Sequence, residues 1–268
     1  MVSYEKLKTA RKNGRPTGGA YIENIFDQVI ELHGDRRFGD DLAIYGGLAY
    51  LDKRPVTFLA MEKGVDLPSR LARNFGCPKP EGYRKALRLM KQAEKFHRPV
   101  ICFVDTLGAY PGADAEERGQ GQAIAESIME MMGLHTPVIS VVIGEGGSGG
   151  ALALAAANKV FILENAVYSV ISPEGCASIL WKESTQENVA KAADCLHITA
   201  DDMKNFGVAE AVIPENFEDF PKMCSGIRKM LSGTIDELSA LSEDQILEQR
   251  YDRFRKFGIF DEKGAKKK

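Results

Sequence analysis

The run 138–143 (Val-Ile-Ser-Val-Val-Ile) is almost wholly apolar and stops at Gly144-Glu145-Gly146-Gly147-Ser148-Gly149-Gly150. Ala151-Leu152-Ala153-Leu154-Ala155-Ala156-Ala157 comes immediately after. The pattern predicts a buried strand, a glycine-dense turn and a helix that starts without a linker. The first N–H groups of a helix have no intrahelical partner, and the peptide dipoles there favour negative charge. Glycines let a ligand reach such amides with no Cβ in the way. The turn therefore predicts a site that holds an oxyanion, which points to chemistry on an acyl or carbonyl group.

The rest of the chain places that turn in an α/β fold. Strands are expected over 43–50 and 56–61, joined by Asp52-Lys53-Arg54-Pro55. A helix is expected over 81–96, with Tyr83, Leu87 and Met90 on one face. The apolar run 99–105 reads as a strand buried on both faces and ends in Thr106-Leu107-Gly108-Ala109-Tyr110-Pro111-Gly112. A helix over 116–132 and strands over 160–163 and 167–171 come next, and Ser172 is placed to cap a helix with Pro173 in its first turn. Strand–helix–strand alternation with short links predicts βαβ units and a largely parallel sheet. Three regions are expected: an N-terminal helical extension over 1–40, with a helix near 22–32; an α/β core over 41–214; and a C-terminal helical segment over 215–268. Helices in that last segment are expected over 217–231, 235–238 and 242–257, packing on the core or on a partner chain.

Composition narrows the function. The chain carries 38 acidic and 35 basic residues, a balance that gives no nucleic-acid-binding surface. The basic end Lys266-Lys267-Lys268 reads as a solvated terminus. Five scattered cysteines without a C-x-x-C pair argue against a disulfide framework or a zinc ribbon and fit reduced cytosolic thiols. Neither a signal peptide nor a membrane-spanning run is expected, so the reading is a soluble cytoplasmic protein.

Gly108-Ala109 and Gly146 to Gly150 are two glycine turns, each after a buried strand. If the strands are neighbours, the turns meet in the crevice at their C-terminal ends, and amides from both can converge on one oxyanion. Gly146-Gly147-Ser148-Gly149-Gly150 also matches the G-x-S-x-G pattern of a serine hydrolase. His197 is the one downstream histidine, however, and Asp194 lies only three residues before it, a poor spacing for a triad. Glu116-Glu117-Arg118 reads as a charged helix start, and Glu145 is the carboxylate inside the turn itself. Arg70, Arg73, Lys79, Arg84 and Lys85 around Asn74-Phe75-Gly76 read either as a solvated loop or as a contact for a phosphate-rich ligand. The chain has no Met-Lys-Met biotin-attachment site, no G-x-x-x-x-G-K-[ST] loop and no metal-ligand pattern.

Phe38-Gly39-Asp40-Asp41, Arg73-Asn74-Phe75-Gly76, Pro80-Glu81-Gly82-Tyr83-Arg84-Lys85-Ala86-Leu87-Arg88, Gly108-Ala109-Tyr110-Pro111-Gly112, Ala115-Glu116-Glu117-Arg118-Gly119-Gln120, and the segments 144–150 and 168–181 stand in order along the chain. Together they resemble the alpha-subunit family of bacterial acetyl-CoA carboxylase carboxyltransferases. The resemblance implies a ClpP/crotonase-like superhelix of βαβ units with flanking helices. It implies a two-alpha, two-beta heterotetramer whose zinc sits on the beta subunit, so no metal is expected on this chain. Biotin would arrive as carboxybiotin on a separate biotin carboxyl carrier protein, with ATP used by a separate biotin carboxylase. The implied reaction moves carboxylate from carboxybiotin to acetyl-CoA and yields malonyl-CoA, which opens fatty acid synthesis. The biotin anion can serve as base for acetyl-CoA, so no catalytic histidine is required.

On this reading Gly149 and Gly150, aided by Gly108 and Ala109, supply an oxyanion hole that faces the biotin ureido group. Gly146 and Gly147 shape the turn, and Tyr110, Glu145 and Arg84 are further candidates on the substrate side. Leu107 stands where the family usually has proline, Asn13-Gly14 replaces its usual His-Pro, and the opening segment is shorter than in many members. Two other readings stay open: a serine hydrolase using Ser148, and a non-catalytic scaffold subunit.

Overall fold

The computed structural model describes residues 2–258. Its strands are β1 (Asp27–Glu31), β2 (Ile44–Leu51), β3 (Arg54–Met61), β4 (Val100–Thr106), β5 (Val138–Gly147), β6 (Lys159–Leu163), β7 (Val167–Ser169) and β8 (Ala211–Ile213). Its helices are α1 (Val2–Ala10), α2 (Gly18–Ile25), α3 (Leu67–Ala72), α4 (Pro80–Lys95), α5 (Ala113–Glu117), α6 (Gln120–Met132), α7 (Ser148–Leu152), α8 (Pro173–Trp181), α9 (Gln186–Cys195), α10 (Ala200–Asn205), α11 (Phe220–Ser239) and α12 (Glu243–Arg255). The basic end 266–268 lies outside the described residues.

The sheet runs β1-β2-β3-β4-β5-β6-β8. The β1/β2 and β2/β3 pairs are antiparallel; β3 to β6 and β8 are parallel, as the alternation predicts. All seven residues of β4 are buried, since α2 packs on one stretch of the sheet and neighbouring strands cover both edges. β5 does two jobs. Its first half pairs with β6, and its end pairs with β7 at Glu145↔Val167 to Gly147↔Ser169. Between Val104↔Val142 and Thr106↔Gly146 the β4/β5 register shifts, because β5 carries extra residues there. Such a bulge bends the strand and redirects the residues beyond it.

Helix α4 packs on β2, β3 and α6, whereas α2 packs on β3, β4 and α11. Tyr21 of α2 stacks on Phe103 of β4 with ring centroids 5.7 Å apart, and Phe220 of α11 meets the same tyrosine edge-on at 5.0 Å. Ile227, Leu231, Ile235 and Leu238 of α11 belong to the main core. Arg250 of α12 is fully buried and donates to the carbonyls of Met131, Leu134 and Thr136 and to Asn158 Oδ1. Burial lowers its pKa to about 10, so it remains a cation below that pH. It ties α12 to the link between α6 and β5.

Several local expectations are corrected. The helix expected over 22–32 is α2, which starts at Gly18 and stops at Ile25; Phe26 is already extended. Residues 27–31 instead pair with the free edge of β2, so tertiary pairing overrides local pattern. The expected 116–132 helix is two, broken at Gly119, whose φ of +81° suits glycine. The helix expected from Ala151 begins earlier, at Ser148, and lasts only five residues. Beyond it the alanines are buried and the chain turns back onto the sheet, where Ser140 Oγ donates to the Leu154 carbonyl at 2.6 Å. Helix α11 runs unbroken through Gly233, and β8 joins the sheet edge at a run that carries no strong pattern. No helix among the described residues is long and apolar enough to cross a membrane.

Replacing Arg250 with methionine leaves several buried carbonyls without a donor. Chemical denaturation of Arg250→Met should show a loss of about 3–5 kcal/mol, the range for removing one partner from a buried charged network.

Candidate active site

The parallel pairing of β4 and β5 brings their C-terminal ends side by side, and both glycine turns start there. Thr106 pairs with Gly146. A Cβ on Gly147 would collide with the Leu107 carbonyl, and one on Gly150 would lie 2.7 Å from Ala109 N and 2.9 Å from Gly108 C. Gly108, Ala109, Gly147 and Gly150 are therefore packed backbone against backbone, and glycine is required where the two turns cross. Gly146 closes against the Tyr168 ring in the same way, without room for a side chain.

The amides in this crevice differ in what they already hold. The Gly108 N–H donates to Thr106 Oγ1 at 3.0 Å, a bond inside the turn. Among the described residues nothing accepts from the Ala109 N–H. Ser148, Gly149 and Gly150 form the first turn of α7, where N–H groups lack intrahelical partners, and no side chain caps that helix. The far end of the first turn is tied down. Tyr110 N–H donates to the Pro78 carbonyl at 3.0 Å, and Gln120 Nε2 donates to both the Pro78 and Tyr110 carbonyls at 2.9 Å. The Lys79 ammonium sits over the Tyr110 ring.

Beneath the turns lies an ionic network in which the two strand-end carboxylates, Asp105 and Glu145, are buried and their cations partly exposed. Lys63 Nζ is 2.6 Å from Asp105 Oδ1 and 3.6 Å from Glu145 Oε1. The same Asp105 oxygen accepts from the Glu145 N–H at 2.8 Å, which ties the end of β4 to the bulged end of β5. Arg11 of the N-terminal arm pairs with Glu145 at 2.9 Å and with Glu174 of α8 at 2.6 Å. Burial alone would lower the Lys63 pKa, yet Asp105 and Glu145 more than offset it and raise the value. Arg11, Lys63, Arg70, Phe75, Leu107 and Glu145 line a cleft of about 550 Å³ beside the turns. Lys63, Asp105 and Arg11 were not singled out in the sequence. The available signal was Asp105, a carboxylate closing a wholly apolar strand.

Arg84 lines a different cleft. Its Nε donates to Asp35 Oδ2 at 2.7 Å and its Nη1 to the Arg118 carbonyl at 3.1 Å. Lys85 is fully buried and donates to Asp40 Oδ1 and the Asp41 carbonyl. The basic cluster of the sequence is thus partly internal, with Arg84 and Lys85 holding the 35–41 loop to α4. Ser148 is exposed with φ +54°. The four histidines pair with Asp40, Glu243, Glu94 and Asp202, so the geometry assembles no Ser148 triad.

Residues 1–258 match the family described as acetyl co-enzyme A carboxylase carboxyltransferase-like. The chain belongs to this family. It is 54% identical to the acetyl-coenzyme A carboxylase carboxyl transferase subunit alpha of Ruminiclostridium cellulolyticum, covering 97% of this chain and 99% of that one. Identity to the alpha subunit of Clostridium botulinum strain Eklund 17B is 53%, covering 96% and 95%. Among solved structures, the transcarboxylase 12S hexamer with methylmalonyl-coenzyme A and methylmalonic acid bound shares the fold at TM-score 0.71 and 18% identity, covering 86% of this chain and 42% of that one. A Pseudomonas malonate decarboxylase hetero-tetramer in complex with coenzyme A gives TM-score 0.69 and 20% identity, covering 90% and 95%. The fold is the crotonase-like α/β fold that these structures share. Among the described residues of this family member, no group of three or more His, Cys, Asp or Glu could hold a metal ion.

The charge arrangement predicts two outcomes. Lys63→Met leaves Asp105 without its cation while Glu145 keeps only Arg11, and urea unfolding should show a loss of about 3 kcal/mol. Burial raises the Asp35 pKa, but the N–H groups of Arg37, Phe38 and Gly39 and the Arg84 guanidinium more than offset this and lower it from 3.8 to about 2. A depressed carboxylate stabilises the fold above its unfolded pKa and loses that effect as pH falls through the folded value. Unfolding midpoints measured between pH 5 and 2 should therefore fall more steeply for the wild type than for Asp35→Asn.

Proposed function

We propose that this chain is the alpha subunit of an acetyl-CoA carboxylase carboxyltransferase, acting with a zinc-bearing beta subunit to carboxylate acetyl-CoA to malonyl-CoA. The observation that carries the reading is the crossing of the two turns, where Ala109 N lies 2.7 Å from the position a Gly150 Cβ would take. The crossing brings the first turn of α7 against Gly108 and Ala109, so main-chain donors from two strand ends are close together. The set fits chemistry in which negative charge appears on a carbonyl-type oxygen and needs fixed donors before it forms.

Carboxybiotin, delivered on a separate carrier protein, supplies the carboxyl group. Its ureido oxygen is an acceptor of the kind that the amides of Gly149, Gly150 and Ala109 suit, and the close packing of the two turns at Gly150 keeps those amides near one another. The protein's part is positional. The first turn of α7 presents Gly149 and Gly150 N–H groups, Gly108 lends its conformation rather than its own N–H, and Gly146 and Gly147 allow the turns to touch. Glu145 braces the turn from below through Arg11 and Lys63, and Tyr110 fixes the opposite wall. The matching donors for the acetyl thioester are assigned to the beta subunit, with the active site between unlike subunits of a two-alpha, two-beta complex. Biotin carboxylase, with its ATP, stands outside this step.

A fixed oxyanion donor is worth about 10²–10³ in kcat. Gly149→Pro is the sharper test than a change at 150, because a Cβ at 149 meets only Ile124 Cγ2, at 3.4 Å. Proline there removes an N–H that has no intrahelical partner, and because Ser148 before it holds φ +54°, which a following proline disfavours, the melting temperature of the variant is read beside its activity. In an alpha–beta complex assayed with biotin and malonyl-CoA, Gly149→Pro should lose about 100-fold in kcat while the complex still forms, and Ser148→Ala should retain activity. Full activity in Gly149→Pro contradicts the amide assignment and favours the scaffold reading. Loss in Ser148→Ala with fluorophosphonate labelling favours the hydrolase.

A further inference from the structure

Tyr83 lies on α4, behind the crossing of the two turns. Its side chain is fully buried, and its hydroxyl has no hydrogen-bond partner. Buried hydroxyls in native structures nearly always have one, so an orphan calls for an explanation. The place of the orphan is informative. The position a Gly150 Cβ would occupy is 2.8 Å from Tyr83 Oη and 2.7 Å from Ala109 N. Two donors without acceptors among the described residues, one from α4 and one from the β4 turn, thus flank the same point beside Gly150. Helix α4 is held in place there by Lys85, which ties it to Asp40 and Asp41, and by Ser127 Oγ of α6, which donates to the Tyr83 carbonyl. Burial raises the pKa of the phenol well above its ordinary value, so the hydroxyl keeps its proton at neutral pH.

We propose that Tyr83 is a positioning residue for carboxyl transfer: its hydroxyl wedges against Gly150 and Ala109 and sets the separation of the two turns. This rests on the oxyanion reading of the turns. The residue does not touch substrate, because its hydroxyl is sealed behind the backbone; it acts through the Ala109 and Gly150 amides. A donor array displaced by a fraction of an ångström loses alignment with the charge that develops in the transition state, more than it loses ground-state binding.

The test is Tyr83→Phe in the assembled alpha–beta complex, which keeps the ring and removes only the oxygen. Because the hydroxyl has no partner in the fold, its removal should leave the melting temperature unchanged or higher. The expected result is a fall in kcat of about tenfold or more, with KM for malonyl-CoA within about twofold of the wild type. An unchanged kcat overturns the proposal. So does a lowered melting temperature with kcat per folded complex unchanged, which is the signature of a merely structural hydroxyl. Gly149→Pro is run in parallel. If it loses activity while Tyr83→Phe does not, only the role of Tyr83 fails; if both retain activity, the oxyanion reading fails and this proposal with it.

Discussion

The candidate site depends on one ion set: Lys63 held between the buried carboxylates of Asp105 and Glu145. Each carboxylate sits near the end of a parallel strand, and like charges there would repel and splay the turns beyond them. The ammonium cancels that repulsion, and the Glu145 N–H closes onto Asp105 to complete the tie. Ion pairs of this kind contribute little net stability compared with apolar packing. Their value here is geometric. A Cβ at Gly144 would strike the Asp105 carboxylate, so even the approach of the strands is set by this contact. Arg11 extends the network to Glu174, which brings the N-terminal arm and α8 to the rim of the cleft.

A site of this type inverts the usual division of labour between backbone and side chains. Side chains with shifted proton affinities mark many active sites, and here Lys63 and Arg11 line the cleft beside the turns. On the proposed reading the donors themselves are main chain, which carries no titration and few rotamers. Such donors are fixed before charge develops, which is the condition under which electrostatic stabilisation is largest. The glycines are the consequence of close packing of two backbones. If the reactive group is delivered from elsewhere, as the proposed function has it, the chain needs a shaped and rigid receptacle more than a nucleophile of its own.

Much of this was legible in the sequence because it depends on short-range pattern. The buried run 138–143 and its glycines, the helix α4 at Pro80–Lys95 and the Ser172 cap, whose Oγ accepts from Gly175 N–H at 3.1 Å, all stand where local physics puts them. The adjacency of the two glycine turns was a conditional inference that only the order β4-β5 could meet. Features that depend on partners distant in sequence were hidden. Residues 27–31 become a strand because the edge of β2 is open, Lys63 matters because two carboxylates lie 42 and 82 positions away, and Arg84 is drawn into an internal pair by Asp35. Tyr83 read as one apolar position on a helix face, which it is; nothing in its spacing reveals that its hydroxyl ends beside Gly150.

The most direct measurement is kcat for an alpha–beta complex whose Gly149–Gly150 amide is replaced by an ester through semisynthesis. The ester deletes one N–H and leaves the backbone path almost unaltered. The account predicts a drop of about 100-fold in kcat with complex stability and KM preserved. Turnover at the wild-type rate would contradict it.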